Sequence, residues 1–146
     1  MAATNTEALL QGVVDREAIR ELPLKYCHCV WQKDLDSWVN LFTSDGTIST
    51  TDPNIPGAQG REGLRKMIGS GLETMKPRPF IHNHVVSLLG PNQATGTCYV
   101  EVRMIRDGKK WSLSGWYDDE YEKVGGEWKF KSRRINVDSF APSSEG

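Results

Sequence analysis

The chain lacks the features that mark a membrane protein or a nucleic-acid-binding protein. No stretch approaches the roughly 18 consecutive apolar residues of a spanning helix. Neither sign of charge is in excess, because 18 Lys and Arg residues stand against 19 Asp and Glu residues, and no basic stripe is present. The N-terminal segment also lacks the basic and then apolar pattern of a signal peptide. We therefore expect neither a membrane nor a nucleic acid among the partners of this protein.

Cysteine is scarce, and its spacing excludes the common structural zinc motifs. Cys27, Cys29 and Cys98 are odd in number, and a Cys-X-Cys pair is not a zinc-ribbon signature. Free thiols in a reducing compartment are the simplest explanation, so we expect a cytoplasmic protein. The length of 146 residues suits one domain, with a structured core from about residue 5 to 140 and a loose tail over 141–146.

Helical periodicity characterises the first half of the chain. From Ile19 to Trp31 the apolar residues recur on one face of a helix. Pro23 falls within this stretch and should kink the helix or restart it, because proline removes a backbone donor. Two further helices are predicted over Leu35–Phe42 and Arg61–Met75.

Alternation typical of β-strands characterises the second half. A short strand is predicted over Thr47–Thr51, and four longer β-rich runs are separated by the turn sequences GPNQ, RDGK and VGGE. Helices followed by an antiparallel meander indicate an α+β fold. Because long strands imply a curved sheet, we predict a cone-shaped α+β barrel with three N-terminal helices packed on a mostly antiparallel sheet. The four long runs are Phe80–Leu89, Ala94–Arg106, Lys110–Lys123 and Glu127–Val137.

Asp34 is the first candidate for a chemical role. Tyr26, Val30 and Asp34 are spaced by four residues and share one stripe of the first helix. A carboxylate at the inward end of that apolar stripe is costly unless it has a partner. Asp34 is equally suited to be the N-cap of the second helix, and the two interpretations are compatible.

His82 and His84 are the second pair of candidates. They lie two residues apart in a predicted strand, so their side chains should share one face. Such a pair could be catalytic, or it could be satisfied within the core or at the surface. A metal site would need a carboxylate and a third histidine, and the remaining histidine, His28, lies on a helix. We therefore do not expect a metal site.

Two adjacent pairs in the last strands should each send one side chain into the cone. Arg133 and Arg134 alternate, as do Trp116 and Tyr117. An inward arginine could hold a substrate carboxylate or carbonyl, and inward aromatic rings suit an apolar, ring-containing ligand, although aromatic residues are also ordinary core residues. The candidates for substrate binding are His84, Trp116, Tyr117, Arg133 and Trp31.

Three segments in this order resemble the SnoaL-like branch of the nuclear-transport-factor-2-like superfamily. This branch includes scytalone dehydratase, hexachlorocyclohexane dehydrochlorinase and bile-acid dehydratase. The segments are the opening helix with Tyr26 and Asp34, the strand FIHNHVVSLLGPNQATG with His82, and the hairpin GWYDDEYEKVGGEWKF. The resemblance covers the chain from about Asp15 to Phe140, and Pro23 departs from the usual pattern of the opening helix.

The resemblance implies an active site inside the cone. Asp34 and His82 would form a dyad in which His82 removes a proton from a substrate carbon, and Tyr26 would donate a hydrogen bond to a carbonyl or a departing hydroxyl. The implied activity is that of a cofactor-independent lyase or isomerase acting on a small hydrophobic, cyclic or aromatic metabolite. In a second interpretation, similar to ketosteroid isomerase, Asp34 alone is the base.

A third interpretation is a binding or assembly module without catalysis, as in the small β subunit of ring-hydroxylating dioxygenases, which shares this fold. In each case we expect self-association into a dimer or trimer, because an open curved sheet with Trp and Tyr on both faces rarely stays uncovered.

Overall fold

The computed structural model describes residues 2–143, in which three helices pack on one sheet. None of the helices in this part of the chain is both long enough and apolar enough to cross a membrane. The helices are α1 (Ala2–Gln32), α2 (Leu35–Val39) and α3 (Gly60–Met75). The strands are β1 (Phe42–Thr50), β2 (Ala58–Gln59), β3 (Arg78–Leu88), β4 (Gln93–Arg106), β5 (Lys109–Val124) and β6 (Glu127–Pro142).

The six strands form a mixed sheet in the order β2-β1-β6-β5-β4-β3. The strands from β3 to β6 form an antiparallel meander, and β1 lies parallel to β6. The sheet is not closed, because β2 and β3 remain at its edges. The predicted α+β cone with three N-terminal helices on a mostly antiparallel sheet is confirmed.

Several elements differ from the predicted boundaries. Strand β1 begins at Phe42 rather than Thr47, and α2 ends at Val39 rather than Phe42. Helix α1 continues through Pro23 without the expected restart; Leu22 and Tyr26 on either side of the proline are buried in the core, and tertiary packing of this kind outweighs a lost backbone hydrogen bond. Strand β6 extends to Pro142, so part of the expected tail belongs to the sheet. Positions 144–146 of that tail lie outside the described residues.

The hydrophobic core consists of two clusters. The larger cluster joins all three helices to the sheet and includes Ile19, Trp38 and Leu64. The smaller cluster lies on β4, β5 and β6 and includes Cys98 and Tyr117. The face of the sheet that carries these clusters is its inner side, and the opposite face is exposed to solvent. A candidate residue can contribute to an enclosed site only from the inner side.

A buried carboxylate attaches α1 to the β5–β6 hairpin. Asp15 accepts hydrogen bonds from Trp128 Nε1 at 2.9 Å and from Gln11 Nε2 at 3.1 Å, and it forms an ion pair with Lys123 Nζ at 2.9 Å. Burial acts to raise the pKa of Asp15, but these donors outweigh burial and the pKa is lowered. Asp15 therefore holds the helix in position over the end of the sheet as a carboxylate.

Candidate active site

Arg133 reaches the inner side of the sheet because β6 is irregular just before it, at one of two irregular positions in its pairing with β5. The register of β5 with β6 changes at Lys131, which has no cross-strand partner. An extra residue of this kind reverses the alternation of the side chains beyond it. Arg133 is consequently fully buried, whereas Arg134 is exposed on the outer face.

The guanidinium of Arg133 is paired with Asp119 and enclosed by aromatic rings. Its Nε donates to Asp119 Oδ1 at 2.8 Å and its Nη2 donates to Asp119 Oδ2 at 3.2 Å, and both side chains are 0% exposed. Its central carbon lies 3.6 Å from the ring centroid of Tyr117, 4.5 Å from that of Tyr26 and 4.4 Å from that of Phe130. The cation is therefore held rigidly by a bidentate ion pair and by cation–π contacts.

Burial acts against both charges of this pair, and the partners oppose that effect. Burial raises the pKa of Asp119, while Arg133 and the hydrogen bond from Tyr121 counteract the rise. Burial acts to lower the pKa of Arg133, but the Asp119 carboxylate reverses this and the pKa of Arg133 is raised. Arg133 is therefore a permanent cation inside the cone.

A bulge in β3 separates His82 from His84. The register of β3 with β4 changes between His82 and Val85, and Asn83 adopts a left-handed φ of 53°. The two histidines therefore do not share a face, contrary to the prediction from simple alternation. The His82 side chain is 49% exposed and its Nε2 lies 3.4 Å from the Glu101 carboxylate. His84 points inward and is partly buried.

His84 is linked to the buried ion pair through Tyr121. The Tyr121 hydroxyl donates its single proton to Asp119 Oδ2 at 2.9 Å. The same hydroxyl lies 2.9 Å from His84 Nε2. Because its proton is already donated to Asp119, the hydroxyl oxygen can only accept a hydrogen bond from His84. His84 must then carry its proton on Nε2, which makes Nδ1 the nitrogen with a free lone pair.

Two buried nitrogen atoms of this network have no hydrogen-bond partner among the described residues. They are Nδ1 of His84 and Nη1 of Arg133. Burial lowers the pKa of His84 to about 4, and the positive charges of Arg133 and Arg20 contribute to the decrease. The imidazole is therefore neutral at pH 7. The site therefore offers one hydrogen-bond acceptor, Nδ1 of His84, and one charged donor, Nη1 of Arg133. Each of these atoms costs free energy while it is buried without a partner.

Asp34 lies outside this network. Helix α1 ends at Gln32, and Lys33 has a left-handed φ of 59°, so the stripe of the first helix does not reach Asp34. The exposed Asp34 carboxylate caps α2 by accepting from the Ser37 backbone N–H at 3.2 Å, and hydrogen bonding to Ser37 lowers its pKa. Within residues 2–143 no hydrogen bond or ion pair joins Asp34 to His82. The dyad implied by the resemblance is not formed in this structure.

The aromatic candidates are divided between the two sides of the sheet. Tyr26 and Tyr117 are 7% exposed and face the interior. Trp116, the neighbour of Tyr117 in β5, faces outward. Trp31 is 43% exposed, and its ring packs edge-on against Phe80 with 5.6 Å between ring centroids. Tyr26 and Tyr117 therefore lie beside Arg133, whereas Trp31 and Trp116 do not.

Sequence reasoning missed Asp119, Tyr121 and Cys98. The signal for the first two was present, because alternation in YDDEY places Tyr117, Asp119 and Tyr121 on one face of β5. Cys98 lies across from them, and Arg133 Nη2 donates to its sulfur at 3.4 Å. Burial raises the pKa of the Cys98 thiol to about 12, so this cysteine is a neutral neighbour. Among the residues that the structure describes, no group of His, Cys, Asp and Glu is arranged to hold a metal ion.

Comparison with known proteins gives a family and a fold. A model of the SnoaL-like domain matches residues 11–134. A hexachlorocyclohexane dehydrochlorinase (LinA, type 2) superposes with a TM-score of 0.85 at 18% identity, over 94% of this chain and 94% of its own. A candidate scytalone dehydratase from Novosphingobium aromaticivorans superposes with a TM-score of 0.81 at 23% identity, over 93% of this chain and 92% of its own. At these identities the structural likeness shows the shared fold.

Proposed function

The chain belongs to the SnoaL-like family of the nuclear-transport-factor-2-like superfamily, and from this we propose that it is a cofactor-independent lyase or isomerase for a small hydrophobic, ring-containing substrate. The observation that carries the proposal is the pair of unpartnered buried atoms, Nδ1 of His84 and Nη1 of Arg133. The similar structures include proteins named for the loss of water or of hydrogen chloride. Both reactions remove a proton from carbon and therefore require a base.

In the proposed reaction, His84 is the base and Arg133 stabilises negative charge. Nδ1 takes a proton from a substrate carbon, and the electron pair of that C–H bond forms a new C=C bond. The adjacent C–O or C–Cl bond breaks, and hydroxide or chloride departs with the bonding electrons. In a dehydration the imidazolium returns its proton to hydroxide, which leaves as water. When chloride departs, the imidazolium releases its proton to solvent; in an isomerisation no group leaves, and the proton returns to another carbon. Arg133 Nη1 donates to the atom on which negative charge develops, a substrate oxygen or the departing chloride.

Asp119 and Tyr121 are positioning residues in this scheme. The chain of contacts from His84 Nε2 through the Tyr121 hydroxyl to Asp119 Oδ2 fixes the tautomer of the base. The same carboxylate would stabilise the imidazolium that forms when Nδ1 takes a proton. Burial raises the pKa of Tyr26, so its hydroxyl stays protonated and can donate to a substrate carbonyl or leaving group.

The rings around Arg133 favour a ring-containing substrate. Tyr117, Tyr26 and Phe130 surround the guanidinium, so a ligand oxygen that reaches Nη1 must displace part of this aromatic enclosure. A flat apolar ring in the ligand would restore the lost contacts. This argument supports the hydrophobic cyclic or aromatic class expected from the resemblance.

The proposal transfers the role of base from the Asp34–His82 dyad to His84. Asp34 is exposed and caps α2, and His82 contacts Glu101 on the outer face. Solvent surrounds both groups, so neither has the water-excluded environment that strengthens acid–base catalysis. For the same reason Asp34 alone is a poor candidate for the base.

Self-association through the outer face of the sheet is part of the same proposal. Val85 is 67% exposed and Tyr99 is 49% exposed on that face, and a second copy would cover them. We propose a dimer or trimer, and a sedimentation-equilibrium mass equal to one chain would exclude it.

The pH dependence of turnover tests the proposed base. With scytalone or hexachlorocyclohexane as the probe, kcat/KM should be constant above about pH 5 and fall about tenfold per pH unit below about pH 4. The direction of this pH dependence follows from the pKa of His84, which is lowered to about 4. Above that pH the ring is neutral and can accept a proton; below it the ring is already protonated. Product formation is followed by chromatography or by chloride release.

Circular dichroism at each pH controls for unfolding. A rate that is already halved near pH 6.5, the ordinary pKa of histidine, would mean that a different histidine or an unshifted one is the base.

A further inference from the structure

We propose that a concave basic cleft at the β3–β4 edge of the sheet binds the phosphoryl group of a small molecule. The cleft has a volume of about 520 Å³ and is lined by Lys76, Arg78, Arg103 and Lys110, together with Trp111 and Ser112. It lies at the end of β4 opposite to the bulge that positions His84, and it is independent of the proposed active site. Among the described residues 2–143, no Asp or Glu lines it.

The two arginines of the basic cleft are held in fixed positions. Arg78 and Arg103 are directly opposite each other in the antiparallel β3–β4 pair. The guanidinium of Arg78 lies 5.0 Å from the centroid of Trp31, and that of Arg103 lies 5.3 Å from the centroid of Phe80. These rings pack against each other, and Trp31 Nε1 donates to the backbone of β3 at 2.8 Å. Stacking of this kind orients a guanidinium before any ligand arrives.

No described carboxylate compensates the charges in the basic cleft. Within residues 2–143, none of its four cations forms an ion pair with a carboxylate. Like charges directly opposite each other on neighbouring strands destabilise a sheet. An anion between Arg78 and Arg103 would remove that repulsion, so the unliganded protein carries a cost that a bound anion relieves.

The chemistry of the basic cleft favours a phosphoryl group on a small molecule. Guanidinium groups form paired hydrogen bonds with phosphate oxygens, and lysines add further charge. A concave volume suits a small molecule better than a flat membrane surface. The Trp111 ring already contacts Phe140, with 5.3 Å between ring centroids, and the Arg106 guanidinium at 5.2 Å, so it is a poor platform on which a nucleobase could stack.

Calorimetric titration of the full-length chain tests the proposal. The probes are inorganic phosphate and phenyl phosphate at low salt. The double variant Arg78→Gln/Arg103→Gln should bind either probe at least about tenfold more weakly than the wild type. The matched control, Lys131→Gln/Arg134→Gln, loses the same charge from exposed positions of β6 and should bind within about twofold of the wild type.

The two probes distinguish the possible sources of the phosphoryl group. Tighter binding of phenyl phosphate assigns the basic cleft to a phosphorylated metabolite, and equal affinities assign it to free phosphate. The proposal is overturned if the wild type binds neither probe at about 10 mM, or if the control variant weakens binding as much as the cleft variant. It is also overturned if a single-stranded oligonucleotide binds far more tightly through the same arginines.

Thermal unfolding supplies a second readout. Without phosphate, Arg103→Gln should melt close to the wild type, because the repulsion that the substitution removes offsets the lost contact with Phe80. Added phosphate should raise the melting temperature of the wild type but not of Arg78→Gln/Arg103→Gln. A marked loss of stability in phosphate-free Arg103→Gln would contradict the uncompensated charge on which the proposal depends.

Discussion

Replacement of Asp119 by alanine should destabilise the protein by about 3–5 kcal/mol, because it leaves the charge of Arg133 buried without a partner. Both side chains are fully buried, and Asp119 accepts from two nitrogens of Arg133 and from the Tyr121 hydroxyl. The surrounding rings cannot replace a carboxylate. A loss of this size is a large fraction of the stability of a typical domain, about 5–15 kcal/mol. Urea unfolding followed by circular dichroism measures it.

Asp118→Ala is the matched control for Asp119→Ala. Asp118 precedes Asp119 in β5 but lies on the outer face, where it accepts from Thr97 Oγ1 at 3.0 Å and Asn136 Nδ2 at 2.9 Å. These bonds are exposed to solvent, so the control should cost no more than about 1 kcal/mol. Equal losses in the two variants would contradict the buried ion pair. Joint replacement of Asp119 by Leu and Arg133 by Met should be less destabilising than Asp119→Ala.

Replacement of His84 by glutamine should lower kcat/KM for an elimination substrate by about 10²–10⁴-fold, the usual contribution of a general base. Glutamine retains a polar group of similar length but cannot take a proton. His82→Gln, two residues away on the outer face, should leave kcat/KM within about twofold of the wild type. Steady-state kinetics with scytalone or hexachlorocyclohexane compare the two variants.

The reverse result would restore the dyad interpretation. If His82→Gln and Asp34→Asn each abolish turnover while His84→Gln has no effect, the base lies on the outer face and the His84 assignment is wrong. Melting temperatures of the three variants separate a loss of catalysis from a loss of folding. His84→Gln retains the size of the side chain, so we expect it to remain folded.

The fold was predictable because it depends on patterns that persist over many residues. The strand runs predicted over Ala94–Arg106 and Lys110–Lys123 match β4 and β5 to within one residue at each end. The alternation of apolar residues and the turn sequence between the two runs indicate the same strand ends. The third helix was likewise predicted to within one residue. These features tolerate a local error, because neighbouring residues repeat the same signal.

The site was less predictable because single irregular residues decide which side chains face inward. Strict alternation places His82 and His84 on one face, but the bulge at Asn83 separates them. A second irregularity at Lys131 selects Arg133 over its neighbour. Bulges have no dependable sequence signature, and each one reverses every side chain beyond it.

The inward position predicted for Asp34 is wrong for a related reason, whereas its alternative as an N-cap is confirmed. The steps of four residues from Tyr26 through Val30 to Asp34 share one stripe only while the helix continues, and the left-handed Lys33 ends it. Beyond that residue the N-cap preference of aspartate determines the position of Asp34. The capping interpretation and the catalytic one were compatible in the sequence, and the structure contains the cap.

The most direct measurement is a long-range ¹⁵N–¹H NMR spectrum of the histidine rings, with His84 assigned from its absence in His84→Gln. This spectrum distinguishes a neutral ring protonated on Nε2 from one protonated on Nδ1, and either of these from the cation. We predict that His84 stays neutral with its proton on Nε2 from about pH 8 to about pH 5, as the contact with Tyr121 and the lowered pKa require. A His84 ring that carries its proton on Nδ1, or that becomes a cation near pH 6.5, would contradict its assignment as the base.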